Sequence, residues 1–157
     1  MSKFPEAGAK APPFSLVRDG GGTVALKDFK GRKLVVFFYP KANTTGCTKE
    51  AIAFNGLKDV FAAADTDILG VSADTVSAQD KFKAKYDFAF PLGSDPEKAM
   101  LEAYGVWVEK SMYGRKYMGI ERSTLLISRD GTVARSWPKV KVAGHAEDVL
   151  KAAQELA

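Results

Sequence analysis

The sequence is poor in the residues that crosslink a chain or bind metals. Its 157 residues include one cysteine, Cys47, and one histidine, His145. A lone cysteine excludes a disulfide within the chain, and together with a lone histidine it argues against a zinc site. We therefore expect no metal and no other cofactor. Cys47 is then either a small packing residue or a reactive thiolate, and its surroundings must distinguish the two.

Long apolar runs are also absent. No run approaches the ~20 residues that span a membrane, and the N-terminal stretch MSKFPEAG lacks the apolar core of a signal peptide. We therefore expect no membrane insertion and a reducing, cytoplasmic setting. The net charge of +4 comes from 23 basic and 19 acidic residues, which are scattered and often adjacent. This pattern predicts a solubilising surface and no nucleic-acid site.

What is present is typical of a globular protein, with 46% hydrophobic and 27% charged residues. The length favours one domain with a substantial core. Because no repeat, low-complexity stretch or linker divides the chain, we expect a single domain over residues 1–157.

The order of predicted elements indicates an α/β protein with a central mixed β-sheet flanked by helices. A glycine-rich turn predicts an N-terminal β-hairpin, and the run KLVVFFYP predicts a strand covered on both faces. Strands are predicted over 14–17, 23–29, 33–39, 67–74 and on both sides of the turn Asp130-Gly131, and residues 90–95 are predicted as a short strand or a loop. Helices are predicted over 47–64, 76–86, 95–104 and 145–157.

Helix faces and ends have their own signals. In the helix over 47–64, the spacing predicts one shared face formed by Ile52, Leu57, Val60 and Phe61. Ser77 is the predicted N-cap of the next helix. For the helix after it, the sequence predicts Asp95 as the N-cap, Pro96 at the first position and Gly105 just past the end.

The surroundings of Cys47 favour a reactive thiolate. The cysteine follows a buried strand and Pro40, and it opens a helix. Free amide N–H groups and the positive end of the helix dipole both stabilise an anion there. Its neighbours NTTG and TKE are polar, whereas a packing cysteine would usually lie in an apolar run.

The segment VVFFYPKANTTGCTKEAIAF resembles the active-site segment of the peroxiredoxins, and it fits the PrxQ or bacterioferritin-comigratory-protein branch best. The family pattern Pro-x-x-x-Thr-x-x-Cys is met by Pro40, Thr44 and Cys47. Similar blocks extend along nearly the whole chain, including ILGVSADTVSAQDKF and GIERSTLLI. The resemblance implies a thioredoxin-like fold and a thiol-dependent reduction of hydroperoxides.

The resemblance also implies a role for each matched residue. Cys47 would be the peroxidatic cysteine, which becomes a sulfenic acid. Arg122 would favour the thiolate and hold the peroxide. The Thr44 hydroxyl would donate to the peroxide while accepting a backbone N–H, and Pro40 would shield the sulfur from water. The backbone N–H groups of Gly46 and Cys47 would be further donors.

The chain departs from the family pattern where many members have a second cysteine. Ile52 and Lys83 stand at the two common positions, and Thr45 replaces the usual proline. We therefore predict a one-cysteine mechanism in which an external thiol resolves the sulfenic acid. That thiol is a thioredoxin- or glutaredoxin-type protein, a small thiol or, ranked last, Cys47 of another subunit. The branch predicts a monomer, with a dimer as the alternative.

Two other functions are compatible with such a fold. A thioredoxin-type oxidoreductase needs Cys-x-x-Cys, and Glu50 occupies the place of the second cysteine. A non-catalytic binding or holdase module would not need Pro40, Thr44, Cys47 and Arg122 together. Glu50 complements the helix dipole, and whether it also orients Arg122 is open at this stage.

Overall fold

The computed structural model describes residues 3–157. Its strands are β1 (Ser15–Arg18), β2 (Thr23–Ala25), β3 (Lys33–Phe38), β4 (Thr66–Ser72), β5 (Leu92–Ser94), β6 (Trp107–Met112), β7 (Arg115–Ile120), β8 (Ser123–Ile127) and β9 (Val133–Trp137). Its α-helices are α1 (Thr45–Gly56), α2 (Lys58–Ala63), α3 (Val76–Tyr86), α4 (Ala99–Ala103) and α5 (His145–Glu155). Among the described residues, no helix is long and apolar enough to cross a membrane.

Seven strands form one mixed sheet in the order β2-β1-β5-β4-β3-β8-β9. Strand β3 lies parallel to β4 and antiparallel to β8, and β4 lies parallel to β5. The predicted α/β architecture and N-terminal hairpin (β1 with β2) are confirmed. Because β3 and β4 are parallel neighbours, the loops that follow them emerge at the same edge of the sheet.

Strand β3 is buried along its whole length and separates two apolar clusters. Alternate side chains point to opposite faces of a strand. Leu34, Val36 and Phe38 therefore belong to one cluster, which α4 covers with Met100 and Leu101. The other face carries Val35, Phe37 and Tyr39 and packs against α1, α2, α3 and α5. This second cluster also contains Cys47.

The single helix predicted over 47–64 is two helices. They meet at Leu57 (φ −105°, ψ 8°), directly after Asn55-Gly56, two residue types with low helix propensity. The break changes which side chains face the core. Ile52 and Val60 are 48% and 41% exposed whereas Phe61 is buried, so the prediction that these residues share one face is wrong. The buried residues of α1 are instead Cys47, Glu50, Ala51 and Phe54.

Two predicted helix starts also need correction. The N-cap of α3 is Thr75, whose hydroxyl accepts the N–H of Ala78, and Ser77 lies inside the helix. Helix α4 begins four residues later than Asp95, after a turn that contains Pro96. The Asp95 carboxylate still accepts the N–H of Leu101 in that helix, at 2.8 Å. Gly105 (φ 70°) follows the end of α4, as predicted.

The sequence patterns missed the hairpin of β6 and β7, which forms a separate two-stranded sheet. Most of its side chains are exposed or half-buried, so its strands lack the apolar alternation that reveals a half-buried strand. Residues 26–29, predicted as strand, form a short 3-10 helix (Leu26–Phe29).

Candidate active site

The end of β3 and the start of α1 place Cys47 beyond the C-terminal end of β3, a central strand of the sheet. Beyond β3, the N–H of Tyr39 still donates to the carbonyl of Val71, 3.1 Å away. The chain then leaves the sheet at Pro40, and Thr44 occupies the N-cap position of α1. The N–H of Thr48 donates to the carbonyl of Thr44 at 2.8 Å. The N–H of Cys47 comes one residue before this helical donor, so it is one of the N–H groups at the helix start, where an anion is favoured.

Arg122 lies directly against the sulfur of Cys47. Its Nη2 is 3.4 Å from Sγ, which accepts the hydrogen bond. Cys47 is only 1% exposed, so this interaction is weakly screened by water. Burial lowers the pKa of Arg122, but the charges and hydrogen bonds of Glu50 and Cys47 outweigh burial and raise that pKa overall. A permanent cation thus faces the sulfur.

Glu50 holds the other side of the same guanidinium. Its Oε1 is 2.7 Å from Nη1 of Arg122, so one arginine bridges Glu50 and Cys47. Glu50 is 1% exposed, and burial raises its pKa to about 7 although the Arg122 charge acts in the opposite direction. No described residue hydrogen-bonds to Oε2. Glu50 therefore contacts Arg122, but it lies beyond the first turn of α1, where the helix dipole was expected to act on it.

Gly46 leaves room for this arginine. A Cβ atom at Gly46 would lie 3.0 Å from Nη2 of Arg122, which is tighter than nine in ten real contacts of a Cβ atom. A side chain there would have to displace the guanidinium that contacts Cys47. The glycine beside the cysteine therefore allows the close approach of Arg122.

Thr44 and Pro40 lie in the loop beside Cys47. The Thr44 hydroxyl donates to the carbonyl of Lys41 at 2.7 Å, which differs from the predicted bond from a backbone N–H to this hydroxyl. Pro40 is exposed and lines a cavity of about 320 Å³ together with Trp107 of the β6–β7 hairpin.

Four further residues, Tyr39, His145, Ile52 and Lys83, make no hydrogen bond to the sulfur in the described part of the chain. Tyr39 is fully buried. His145 begins α5, as predicted, and its Nε2 is 2.8 Å from Oγ1 of Thr124. Ile52 is exposed, and Lys83 makes an ion pair with Asp19 at 2.9 Å. Neither position that could have held a second cysteine carries a group able to resolve a sulfenic acid.

Sequence reasoning missed Asp74. Its Oδ2 accepts the N–H of Ala42, in the loop between Pro40 and Thr44, at 2.7 Å. The available signal was positional: Asp74 follows β4, and β4 ends at the same sheet edge as β3.

Comparisons with known proteins agree with this geometry. The AhpC/TSA family profile matches residues 7–136. The chain is 51% identical over 140 residues to Peroxiredoxin Bcp of Xanthomonas campestris, covering 89% of this chain and 86% of that protein. It is 44% identical over 151 residues to Peroxiredoxin Bcp of Bacillus subtilis, covering 96% of each.

A solved structure of bacterioferritin comigratory protein from X. campestris, described as giving insight into that protein's alkyl peroxide reduction activity, is also similar. It superimposes with a TM-score of 0.88 at 45% identity, covering 95% of this chain and 98% of that one. The chain belongs to the AhpC/TSA family. Within it, the predicted resemblance to peroxiredoxins of the PrxQ or Bcp branch, with their thioredoxin-like fold, is confirmed.

Proposed function

We propose that this protein is a thiol-dependent peroxidase that reduces hydrogen peroxide and organic hydroperoxides at Cys47. The observation that carries the proposal is the position of Arg122, 3.4 Å from Sγ of Cys47 and held in place by Glu50. Family membership and the named activity of the X. campestris relative support the same reaction. Cys47, Thr44, Arg122 and Pro40 form the proposed site.

In the first half-reaction, the Cys47 thiolate attacks the terminal oxygen of the peroxide. An S–O bond forms and the O–O bond breaks, so the sulfur loses two electrons and becomes a sulfenic acid. The leaving oxygen takes a proton from water and departs as an alcohol or as water. Arg122 and the amides that start α1 stabilise the negative charge that develops on this oxygen.

In the second half-reaction, an external thiol reduces the sulfenic acid. Its sulfur forms a disulfide with Cys47 and releases water, and a second thiol then breaks that disulfide and restores the cysteine. The reductant must come from outside because Cys47 is the only cysteine of the chain. A thioredoxin- or glutaredoxin-type protein or a small thiol fits this requirement.

We also infer a reducing, cytoplasmic setting and a monomer. A reducing compartment supplies the external thiol that a one-cysteine mechanism consumes. Sedimentation of the reduced protein at several concentrations tests the monomer: one constant mass supports it, and a concentration-dependent doubling of mass would show the dimer instead.

The direct test compares wild type with Cys47→Ser for peroxide consumption in the presence of a thiol reductant. We expect turnover by wild type and no turnover by the variant. Mass spectrometry after one equivalent of peroxide should show one added oxygen atom on Cys47. Equal consumption by both proteins would instead favour the non-catalytic binding or holdase module.

A further inference from the structure

Hydrogen bonds from outside the active-site loop fix its position. Between β3 and α1, the N–H of Ala42 donates to Oδ2 of Asp74 at 2.7 Å. The adjacent carbonyl, that of Lys41, accepts the Thr44 hydroxyl at 2.7 Å. The place of Thr44 therefore depends on a peptide segment that Asp74 holds.

Asp74 is itself held by a buried polar network. Oδ2 also accepts the hydroxyl of Ser72 at 2.6 Å, and that Ser72 oxygen accepts Nε2 of Gln79 at 3.0 Å. Gln79 is fully buried, and its Nε2 also donates to the carbonyl of Gly93 at 2.9 Å. A buried network whose members are hydrogen-bonded to one another is rigid.

The same network also holds the other end of the loop. The hydroxyl of Tyr39, the residue before Pro40, donates to Oε1 of Gln79 at 2.5 Å. The loop is thus attached through the Tyr39 side chain at its start and through the backbone of Ala42 in its middle. Both attachments lead to Gln79 on α3, whose side-chain hydrogen bonds go to Tyr39, Ser72 and Gly93.

We propose that Asp74 is a positioning residue, which fixes the loop of residues 40–44 so that Pro40 and Thr44 are placed for attack on peroxide. This inference rests on the proposed function. If it is correct, loss of Asp74 affects the two half-reactions differently. Peroxide attack needs the loop in place, because small displacements of positioning groups are costly. Reduction by an external thiol needs access to a sulfur that is 1% exposed, and a looser loop does not hinder that access.

The chain provides a matched control. Asp130 accepts the hydroxyl of Ser128, two residues before it, and the N–H of Thr132 at 3.0 Å. Asp74 makes the same two kinds of bond, with the serine again two residues before it. Asp130 lies in the turn between β8 and β9, so Asp130→Ala removes equivalent hydrogen bonds elsewhere.

The experiment measures both half-reactions separately by rapid mixing and alkylation of free Cys47. For Asp74→Ala, we expect the rate constant with hydrogen peroxide to fall about tenfold, while the rate constant for reduction of preformed sulfenic acid by 2-mercaptoethanol does not fall. Asp74→Asn keeps an oxygen acceptor and should retain the peroxide rate within about twofold. Asp130→Ala should change neither rate.

Three results would overturn the proposal: unchanged rates in Asp74→Ala, an equal fall of both rates, or the same fall in Asp130→Ala. If Asp74→Ala does not fold, Ser72→Ala replaces it. Ser72→Ala removes the second hydrogen bond to Oδ2 of Asp74. We expect a smaller fall of the rate constant with peroxide and no fall of the rate constant for reduction. An equal fall of both rate constants would contradict the proposal. A wild type that does not react with peroxide would instead refute the proposed function.

Discussion

Nη2 of Arg122 lies 3.4 Å from Sγ of Cys47, while Nη1 of the same guanidinium lies 2.7 Å from Glu50. The planar fork of arginine makes both contacts possible at once, which the single ammonium of a lysine cannot reproduce. The half-buried guanidinium places a permanent positive charge beside the sulfur, and its contact with Glu50 orients it. This arrangement is the physical basis of the proposed reactivity.

The first prediction concerns the arginine itself. Arg122→Lys should slow the reaction of Cys47 with hydrogen peroxide about a hundredfold, because the variant keeps the charge but loses the bidentate geometry. Stopped-flow kinetics measures the rate. Arg129→Lys, at an exposed ion pair with Asp65, is the control and should react like wild type. A rate within about twofold of wild type for Arg122→Lys would show that the reaction does not need the guanidinium fork.

The second prediction concerns Gly46. Gly46→Ala should lower the peroxide rate, because the new Cβ meets Nη2 of Arg122 at 3.0 Å. Thermal unfolding should show no comparable loss of stability, since alanine favours a helix over glycine by up to about 1 kcal/mol. Gly56→Ala, in the same helix with no atom within 4 Å of the added Cβ, should keep the rate. Equal rates in the two variants would show that the close approach of Arg122 is unimportant.

The third prediction uses the raised pKa of Glu50, about 7, which burial causes. Below that pH Glu50 is neutral and the charge of Arg122 acts on the sulfur alone; above it the carboxylate offsets part of that charge. Glu50→Gln keeps an oxygen for Arg122 without titrating. The ratio of its peroxide rate to that of wild type should therefore rise as the pH passes through 7.

Rates measured from pH 5 to 9 at fixed ionic strength test this prediction about Glu50. Glu50→Ala, which removes the contact with Arg122, should be slower than Glu50→Gln at every pH, by about tenfold. A constant ratio between Glu50→Gln and wild type across the range would contradict a titrating Glu50.

The fourth prediction concerns how the free energy of unfolding depends on pH, because His145 is buried in its neutral form. Burial lowers the pKa of His145 to about 4 from its ordinary 6.5. Below pH 6.5 the unfolded chain therefore binds a proton that the folded protein does not, so the stability is present above pH 6.5 and is lost as the pH falls toward 4. Between these values the loss amounts to about 3 kcal/mol.

Urea unfolding of wild type and His145→Gln from pH 4 to 7 tests this linkage. The free energy of unfolding of wild type should fall relative to that of the variant as the pH decreases. Glu50 shifts the stability in the opposite direction, but it is present in both proteins and its contribution cancels in the difference. Parallel pH profiles of the free energy of unfolding would show that His145 does not make the protein less stable on acidification.

Much of the fold could be predicted because single segments carry its signals. The run that forms β3 is apolar after Lys33, and the Asp130-Gly131 turn separates the buried strand β8 from the partly buried strand β9. The break at Leu57 was missed although the sequence carries a signal for it, since Asn55 and Gly56 just before it are residue types with low helix propensity. The β6–β7 hairpin was missed because its mainly exposed side chains lack a buried face.

The candidate site divides in the same way. Cys47 and Arg122 could be proposed because short motifs carry them, although 75 positions separate the two residues. The bond from Ala42 to Asp74 joins loops that become neighbours only when β3 and β4 pair, so no local pattern reports it. The backbone N–H predicted to donate to the Thr44 hydroxyl does not do so at the cap of α1, and the hydroxyl donates to the Lys41 carbonyl, an acceptor that only the folded loop presents.

The most direct test of the central claim is the rate constant with which hydrogen peroxide oxidises Cys47, measured by stopped flow in reduced wild type and in Arg122→Ala. We expect the variant to react about a thousandfold more slowly, because it lacks the guanidinium that lies 3.4 Å from Sγ. Equal rate constants in the two proteins would contradict the claim, because the contact between Arg122 and the sulfur would then have no part in the reaction.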